Sequence, residues 1–177
     1  LTLDLNGDQL QDLLVGDLSN PHLVALYNGG TKTNAWMNLQ DKTWPSENIP
    51  VDMVIFNGAF EVDVNLDGNK DVVVAPNQRF LALNTNNIHY YRKFIDNGKI
   101  KFNLESKKYL VDEMLDFGAS AFPCFVDYNQ DGLLDLLVGT EGIFLQGNTL
   151  EASMVLFENK GTKNNPEFHL VDSNYLN

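Results

Sequence analysis

A single cysteine, Cys124, stands among 177 residues. That count excludes an internal disulfide framework and a metal site built from several thiolates of this chain. It leaves the compartment open, because many secreted proteins carry no disulfide. Cations are also scarce, with 12 Lys and Arg against 24 Asp and Glu and a formal net charge of −12. Nucleic acid and anionic membrane surfaces call for a face dominated by Lys and Arg, so neither is expected as a partner. No run approaches the ~18 apolar residues of a membrane-spanning helix, so no transmembrane segment is expected. Helical patterning is thin, and only residues 109–115 are expected to form a turn or two. No initiator Met opens the chain, and Leu1-Thr2-Leu3 has neither the charge nor the apolar run of a signal peptide. The expectation is a removed targeting segment or a piece of a longer chain. With 44% hydrophobic and 11% aromatic residues the chain is too apolar for disorder, and a soluble globular fold follows.

The acids are concentrated in three segments that align without gaps. These are Asp4-Leu-Asn-Gly-Asp-Gln-Leu-Gln-Asp-Leu-Leu-Val-Gly16, Asp63-Val-Asn-Leu-Asp-Gly-Asn-Lys-Asp-Val-Val-Val-Ala75 and Asp127-Tyr-Asn-Gln-Asp-Gly-Leu-Leu-Asp-Leu-Leu-Val-Gly139. Each contributes three aspartates, so the loops hold nine of the 24 acids. A second echo shows that the whole unit repeats: Asn28-Gly-Gly-Thr-Lys-Thr-Asn34 matches Asn159-Lys-Gly-Thr-Lys-Asn-Asn165, with Asp96-Asn-Gly98 in the corresponding place of the middle copy. Such turns join period-2 strands. In the third copy the strands are expected at 121–126, 135–140, 154–158 and 167–172, with a long connection over 141–153. Four short strands per repeat without an intervening helix predict an all-β fold of β-propeller blades, each of four antiparallel strands.

In the pattern Asp-x-Asn-x-Asp-Gly-x-x-Asp, oxygen donors fall at positions 1, 3, 5 and 9, and position 7 offers its backbone carbonyl. Calcium takes 6–8 hard oxygen ligands in a flexible shell, whereas magnesium prefers fewer protein ligands and keeps water. Three carboxylates in one short loop repel one another, and a divalent ion reverses that cost. Up to three Ca²⁺ ions are therefore expected. The ligand sets are Asp4, Asn6, Asp8, Asp12 and the Leu10 carbonyl; Asp63, Asn65, Asp67, Asp71 and the Asn69 carbonyl; and Asp127, Asn129, Asp131, Asp135 and the Leu133 carbonyl. Gly68 and Gly132 are expected at positive φ, and Gln9 replaces that glycine in the first loop. An EF-hand needs Glu at position 12 and flanking helices, but Val15, Val74 and Val138 stand there inside predicted strands.

At these residues the chain resembles the FG-GAP/VCBS repeat family, the blade of integrin-α-type β-propellers. Phe157-Glu-Asn-Lys-Gly-Thr-Lys-Asn-Asn-Pro-Glu-Phe168 is similar to a stretch common in bacterial surface and secreted members. The resemblance implies a calcium-bearing propeller on an extracellular or cell-surface protein. Ala75-Pro76 departs from the pattern at a strand exit.

Propellers usually close with about four to eight blades, so three copies imply part of a larger propeller or a unit completed by another chain. The expected blades are 1–50, lacking its first strand, 51–115 and 116–177. By analogy with Tyr109-Leu110, the chain at Tyr175-Leu-Asn177 would run on towards another blade.

No nucleophile motif accompanies His22, His89 or His169, which are expected at solvated strand positions, and Cys124 in Phe122-Pro-Cys-Phe-Val126 reads as buried. Glu61, Asp112, Glu113, Asp116 and Glu141 show no spacing that singles out a glycosidase pair. Trp36, Trp44, Tyr90 and Tyr91 read as packing between blades rather than a sugar platform. The expected function is a non-catalytic, calcium-stabilised adhesion, binding or assembly module at the cell surface, with a protein or glycan ligand or neighbouring chains as partners. The alternative is the propeller or carbohydrate-binding part of a secreted polysaccharide-active enzyme.

Overall fold

Alternating apolar residues bounded by Asp, Asn and Gly give twelve strands among the described residues, and the computed structural model describes residues 1–54, 56–77, 86–142 and 151–175. Contacts divide it into two compact units, Leu1–Met114 and Leu115–Asn177. No helix occurs among the described residues. Residues 109–113 form turns only, with the Val111 and Asp112 N–H groups both donating to the Lys108 carbonyl.

The first unit holds two four-stranded antiparallel sheets. One runs in the order β1 (Thr2–Leu3), β2 (Asp12–Asp17), β3 (Asn20–Asn28), β4 (Met37–Trp44). The other runs β5 (Asn57–Val62), β6 (Asp71–Pro76), β7 (His89–Asp96), β8 (Lys99–Ser106). The sequence reading leaves the first copy without its first strand, but Thr2 and Leu3 pair with Leu13 and Asp12. Two residues suffice because Leu3 is buried in the core and the Leu1 and Leu14 backbones exchange hydrogen bonds next to the pair.

Both sheets of this unit contribute to one apolar core. Leu14, Leu23 and Ala25 of the first sheet join Val72, Val74, Tyr91 and Phe102 of the second. Trp44 sits between them, 5.5 Å from the Tyr91 ring and 5.1 Å from the Phe102 ring, distances at which tilted aromatic pairs attract. Trp44, Tyr90 and Tyr91 are therefore packing residues, whereas Trp36 is exposed. Gly16 is needed where the sheets meet, because a Cβ there would lie 1.9 Å from the Asn57 carbonyl oxygen.

The second unit is one sheet in the order β9 (Phe122–Val126), β10 (Asp135–Thr140), β11 (Ser153–Asn159), β12 (Phe168–Asp172). Its strands lie where the alternation of the third copy puts them. The long connection expected in that copy falls largely on residues 143–150, and the chain end on 176–177, all outside the described residues. Cys124 is exposed rather than buried, because β9 is an outer strand and, among the described residues, its unit has no second sheet to cover it. The repeat extends to the strand exits: the Tyr109 N–H donates to the Ile88 carbonyl at 3.0 Å and the Tyr175 N–H to the Met154 carbonyl at 2.7 Å.

Candidate metal centre

Each Asp-rich segment links the first and second strands of its sheet, and the three loops share a hydrogen-bond scheme that differs only in which amides the first carboxylate caps. The position-1 carboxylate caps the turn. Asp4 accepts the N–H groups of Gly7 and Gln9 at 2.6 and 2.9 Å. Asp63 accepts those of Asp67 and Gly68 at 3.1 and 2.9 Å, and Asp127 those of Asp131 and Gly132 at the same distances. The position-3 amide oxygen of Asn6, Asn65 or Asn129 accepts the N–H of position 5, and its Nδ2 donates to the position-5 carboxylate at 2.9–3.0 Å. Asp8, Asp67 and Asp131 in turn accept the N–H of Leu10, Asn69 and Leu133 at 2.8 Å. These local bonds to successive amides let polar residues hold a tight loop without a strand partner.

The turn requires left-handed backbone at two positions in every copy. Position 4 has φ of 90° at Gly7, 60° at Leu66 and 61° at Gln130; position 6 has 67° at Gln9, 86° at Gly68 and 88° at Gly132. Each loop spends one glycine on these two positions. The first places it at position 4 and the others at position 6, so Gln9 marks a relocated glycine rather than a lost turn.

The position-9 aspartates behave differently from the rest. Asp12, Asp71 and Asp135 are fully buried. Asp12 accepts the N–H groups of Leu5 and Asn28 at 2.9 and 2.8 Å, and Asp135 those of Tyr128 and Asn159 at 3.1 and 2.8 Å. Asp71 accepts those of Val64 and Lys93 at 3.2 and 2.8 Å and takes a third bond from the Tyr90 hydroxyl at 3.0 Å. Each carboxylate thus ties its loop to the third strand of the same sheet. Burial pushes the Asp12 carboxyl above its ordinary value, with Asp8 and Asp4 adding to it, while the Asn28 and Leu5 amides pull the other way. At position 5 the Asn69 N–H, then the Asn65 side chain, hold the Asp67 carboxyl below the usual range.

The structure therefore brings positions 1, 3 and 5 of each loop together at its surface and turns position 9 into the sheet. Among the described residues no group of three or more Asp, Glu, His or Cys side chains is placed to hold a metal by carboxylate, imidazole or thiolate alone. The donors available are all oxygens, two side-chain carboxylates, one amide and one carbonyl per loop. Position 9 keeps one free lone pair on each oxygen in the first and third loops. That set fits the chemistry of a hard divalent cation. The third-strand partners Asn28, Lys93 and Asn159, and the Tyr90 hydroxyl, escape a reading confined to the loops. The echo of Asn28 in Asn159 was their one visible signal: both side chains are buried, and each accepts two N–H groups of the following turn at 3.0 Å.

The span from the second loop to the third defines one period of the chain. Residues 63–138 match the FG-GAP-like repeat family. The match begins at Asp63, the first residue of the second loop, and ends at Val138 in β10, so it spans one period and both Asp-rich loops that bound it. The three four-stranded antiparallel sheets have the form of propeller blades, and the match covers the part of the chain from the second Asp-rich loop through the third. No curated protein and no solved structure matches the chain.

The remaining candidates are scattered over the fold. His22 is half-buried, with Nδ1 2.6 Å from the Val51 carbonyl oxygen, and His169 is exposed on β12. His89 is buried rather than solvated, since β7 lies inside the second sheet with Tyr91 beside it. Glu141 accepts the Ser120 hydroxyl at 2.9 Å. Glu61 pairs with Lys70 at 3.4 Å.

Proposed function

We propose that this chain is a non-catalytic, calcium-stabilised segment of a β-propeller on an extracellular or cell-surface protein, serving adhesion, binding or assembly. The observation that carries this reading is the threefold recurrence of one loop geometry. Carboxylates at positions 1 and 5 share an exposed turn in every blade, although each copy accommodates the turn with its own residues. Asp4, Asn6, Asp8 and the Leu10 carbonyl would hold one ion, with Asp12 behind them. Asp63, Asn65, Asp67, Asn69 and Asp71 form the second set, and Asp127, Asn129, Asp131, Leu133 and Asp135 the third. A bound Ca²⁺ supplies positive charge where each loop gathers carboxylates. The chain's own part is to fix the loop between two strands, so that binding the ion and folding the blade are linked.

Further repeats, from the same protein or from another chain, are the partners this reading requires. Within the second unit Phe125 and Leu170, in register through Leu136 and Phe157, are exposed on one face of the sheet together with Phe168. An apolar face of this kind marks an interaction surface. A protein or glycan ligand would then meet the completed propeller. No helix among the described residues is long and apolar enough to cross a membrane.

The test is a thermal melt of chelator-stripped protein with and without added calcium. A rise of several degrees is expected, since a ligand that binds only the folded state stabilises it by mass action. An unchanged melt overturns the structural role of calcium.

A further inference from the structure

The loops repeat one another almost bond for bond, but the residue flanking each of them on the third strand does not. Leu13 pairs with Leu26, Val72 with Tyr91 and Leu136 with Phe157. The next residues, Tyr27, Arg92 and Glu158, therefore occupy one equivalent position, each just before the residue whose N–H the buried position-9 aspartate accepts. In the third blade Glu158 reaches the loop itself: its Oε1 lies 3.4 Å from Asn129 Nδ2, the amide that also donates to Asp131 at 2.9 Å. The other oxygen, Oε2, pairs with Lys160 at 3.1 Å, a lysine more than half exposed and free to swing into water. In the second blade the same position carries the exposed guanidinium of Arg92, whose charge helps hold the Asp67 carboxyl down. That loop also contains Lys70 at its eighth position. In the first blade Tyr27 is neutral, because burial, then Asp41, push its hydroxyl up to about 12.

We propose that this third-strand position grades the three loops for a divalent cation, with Glu158 giving the third loop an additional carboxylate oxygen and Arg92 making the second loop the weakest. The inference rests on the reading of the loops as calcium sites. The order is third, first, second. Composition of the loops alone would put the first one last, because Gln9 replaces its glycine, but the relocated Gly7 removes that reason. Fixed charge beside a divalent ion acts at a separation shorter than the Debye length, where salt screens it incompletely.

The experiment is calorimetric titration of calcium into the chelator-stripped full chain and three variants. Arg92→Glu reverses the charge beside the second loop, and Glu158→Gln removes the extra carboxylate with little change of shape. Lys107→Glu makes the same charge change as Arg92→Glu at the far end of the second sheet, beside His89. The wild-type chain is expected to bind calcium in graded steps. Arg92→Glu should tighten the weakest step by about tenfold or more, Glu158→Gln should weaken the tightest by a similar factor, and Lys107→Glu should move every step by less than about twofold. Absence of calcium heat in the wild-type chain overturns the calcium reading and this inference with it. Wild-type binding that Arg92→Glu and Lys107→Glu change alike, or that Glu158→Gln leaves unchanged, overturns the grading alone.

Discussion

The Asp135 carboxylate accepts the backbone N–H of Asn159 at 2.8 Å across 24 residues of chain, and so joins the third Asp-rich loop to the third strand of its sheet. Its second oxygen accepts the Tyr128 N–H inside the loop. One side chain thus fixes the loop's position relative to the blade, and Asp12 and Asp71 do the same in the other copies.

Replacing Asp135 by alanine should therefore destabilise the protein even without calcium. Two backbone donors lose their acceptor, at roughly 1–3 kcal/mol each where they are buried. Chemical denaturation in chelator should show a loss of about 2–4 kcal/mol. A loss seen only when calcium is present would assign the residue to the ion instead of the fold.

Asp131 is exposed and belongs to the opposite class. Its replacement by alanine should remove one bound calcium per chain, and stability in chelator should change by no more than about 1 kcal/mol. Metal stoichiometry by elemental analysis of gel-filtered protein decides this. An unchanged stoichiometry would show that the third loop holds no ion through this side chain.

The two left-handed positions of the first loop make a paired test. Gln9→Gly should stabilise by up to about 1 kcal/mol, because it relieves a side chain at φ 67° at the cost of added chain entropy. Gly7→Ala should destabilise by about 1 kcal/mol, since φ there is 90°. There is room for the added methyl, with Ile100 Cδ1 3.5 Å from its position, so backbone conformation and not crowding sets the sign. Denaturation midpoints of both variants, measured in chelator, check it.

His89 should make stability depend on pH below neutrality. Burial, then the charge of Lys107, lower its affinity for a proton below the ordinary value of 6.5. The unfolded chain takes up that proton near 6.5 and the folded chain resists until lower pH. Stability is therefore full above about 6.5 and declines as pH falls through the window below it. Melting in chelator at pH 7.5 and 5.5 should show the decline, and His89→Gln, which takes no proton there, should flatten it. Equal slopes in both proteins would exclude His89 as the cause.

Much of the blade is legible in the sequence. Leu136, Leu137 and Val138 between Asp135 and Gly139 define a strand by local pattern. The turn at Asn97-Gly98, with φ of 51° and 76°, is the one that this residue pair prefers between antiparallel strands. Exposure was less legible. Cys124 lies in an apolar run, yet stands on an outer strand; His89 looks polar, yet lies in an inner one. Neither property is local, because both depend on which strand a sheet places at its edge.

Residue order by itself determined the three loops, their oxygen-rich composition, the strands that bracket them and their resemblance to FG-GAP-like repeats, since turn bonds and period-2 alternation act over a few residues. It also determined the charge of −12 that three Ca²⁺ ions would halve. Only the tertiary structure decided that Asp12, Asp71 and Asp135 face the sheet, that Trp44 lies between Tyr91 and Phe102, and that Arg92 and Glu158 stand beside equivalent loops. Those relations join residues tens of positions apart, and strand register, set by packing across the sheet, brings them together.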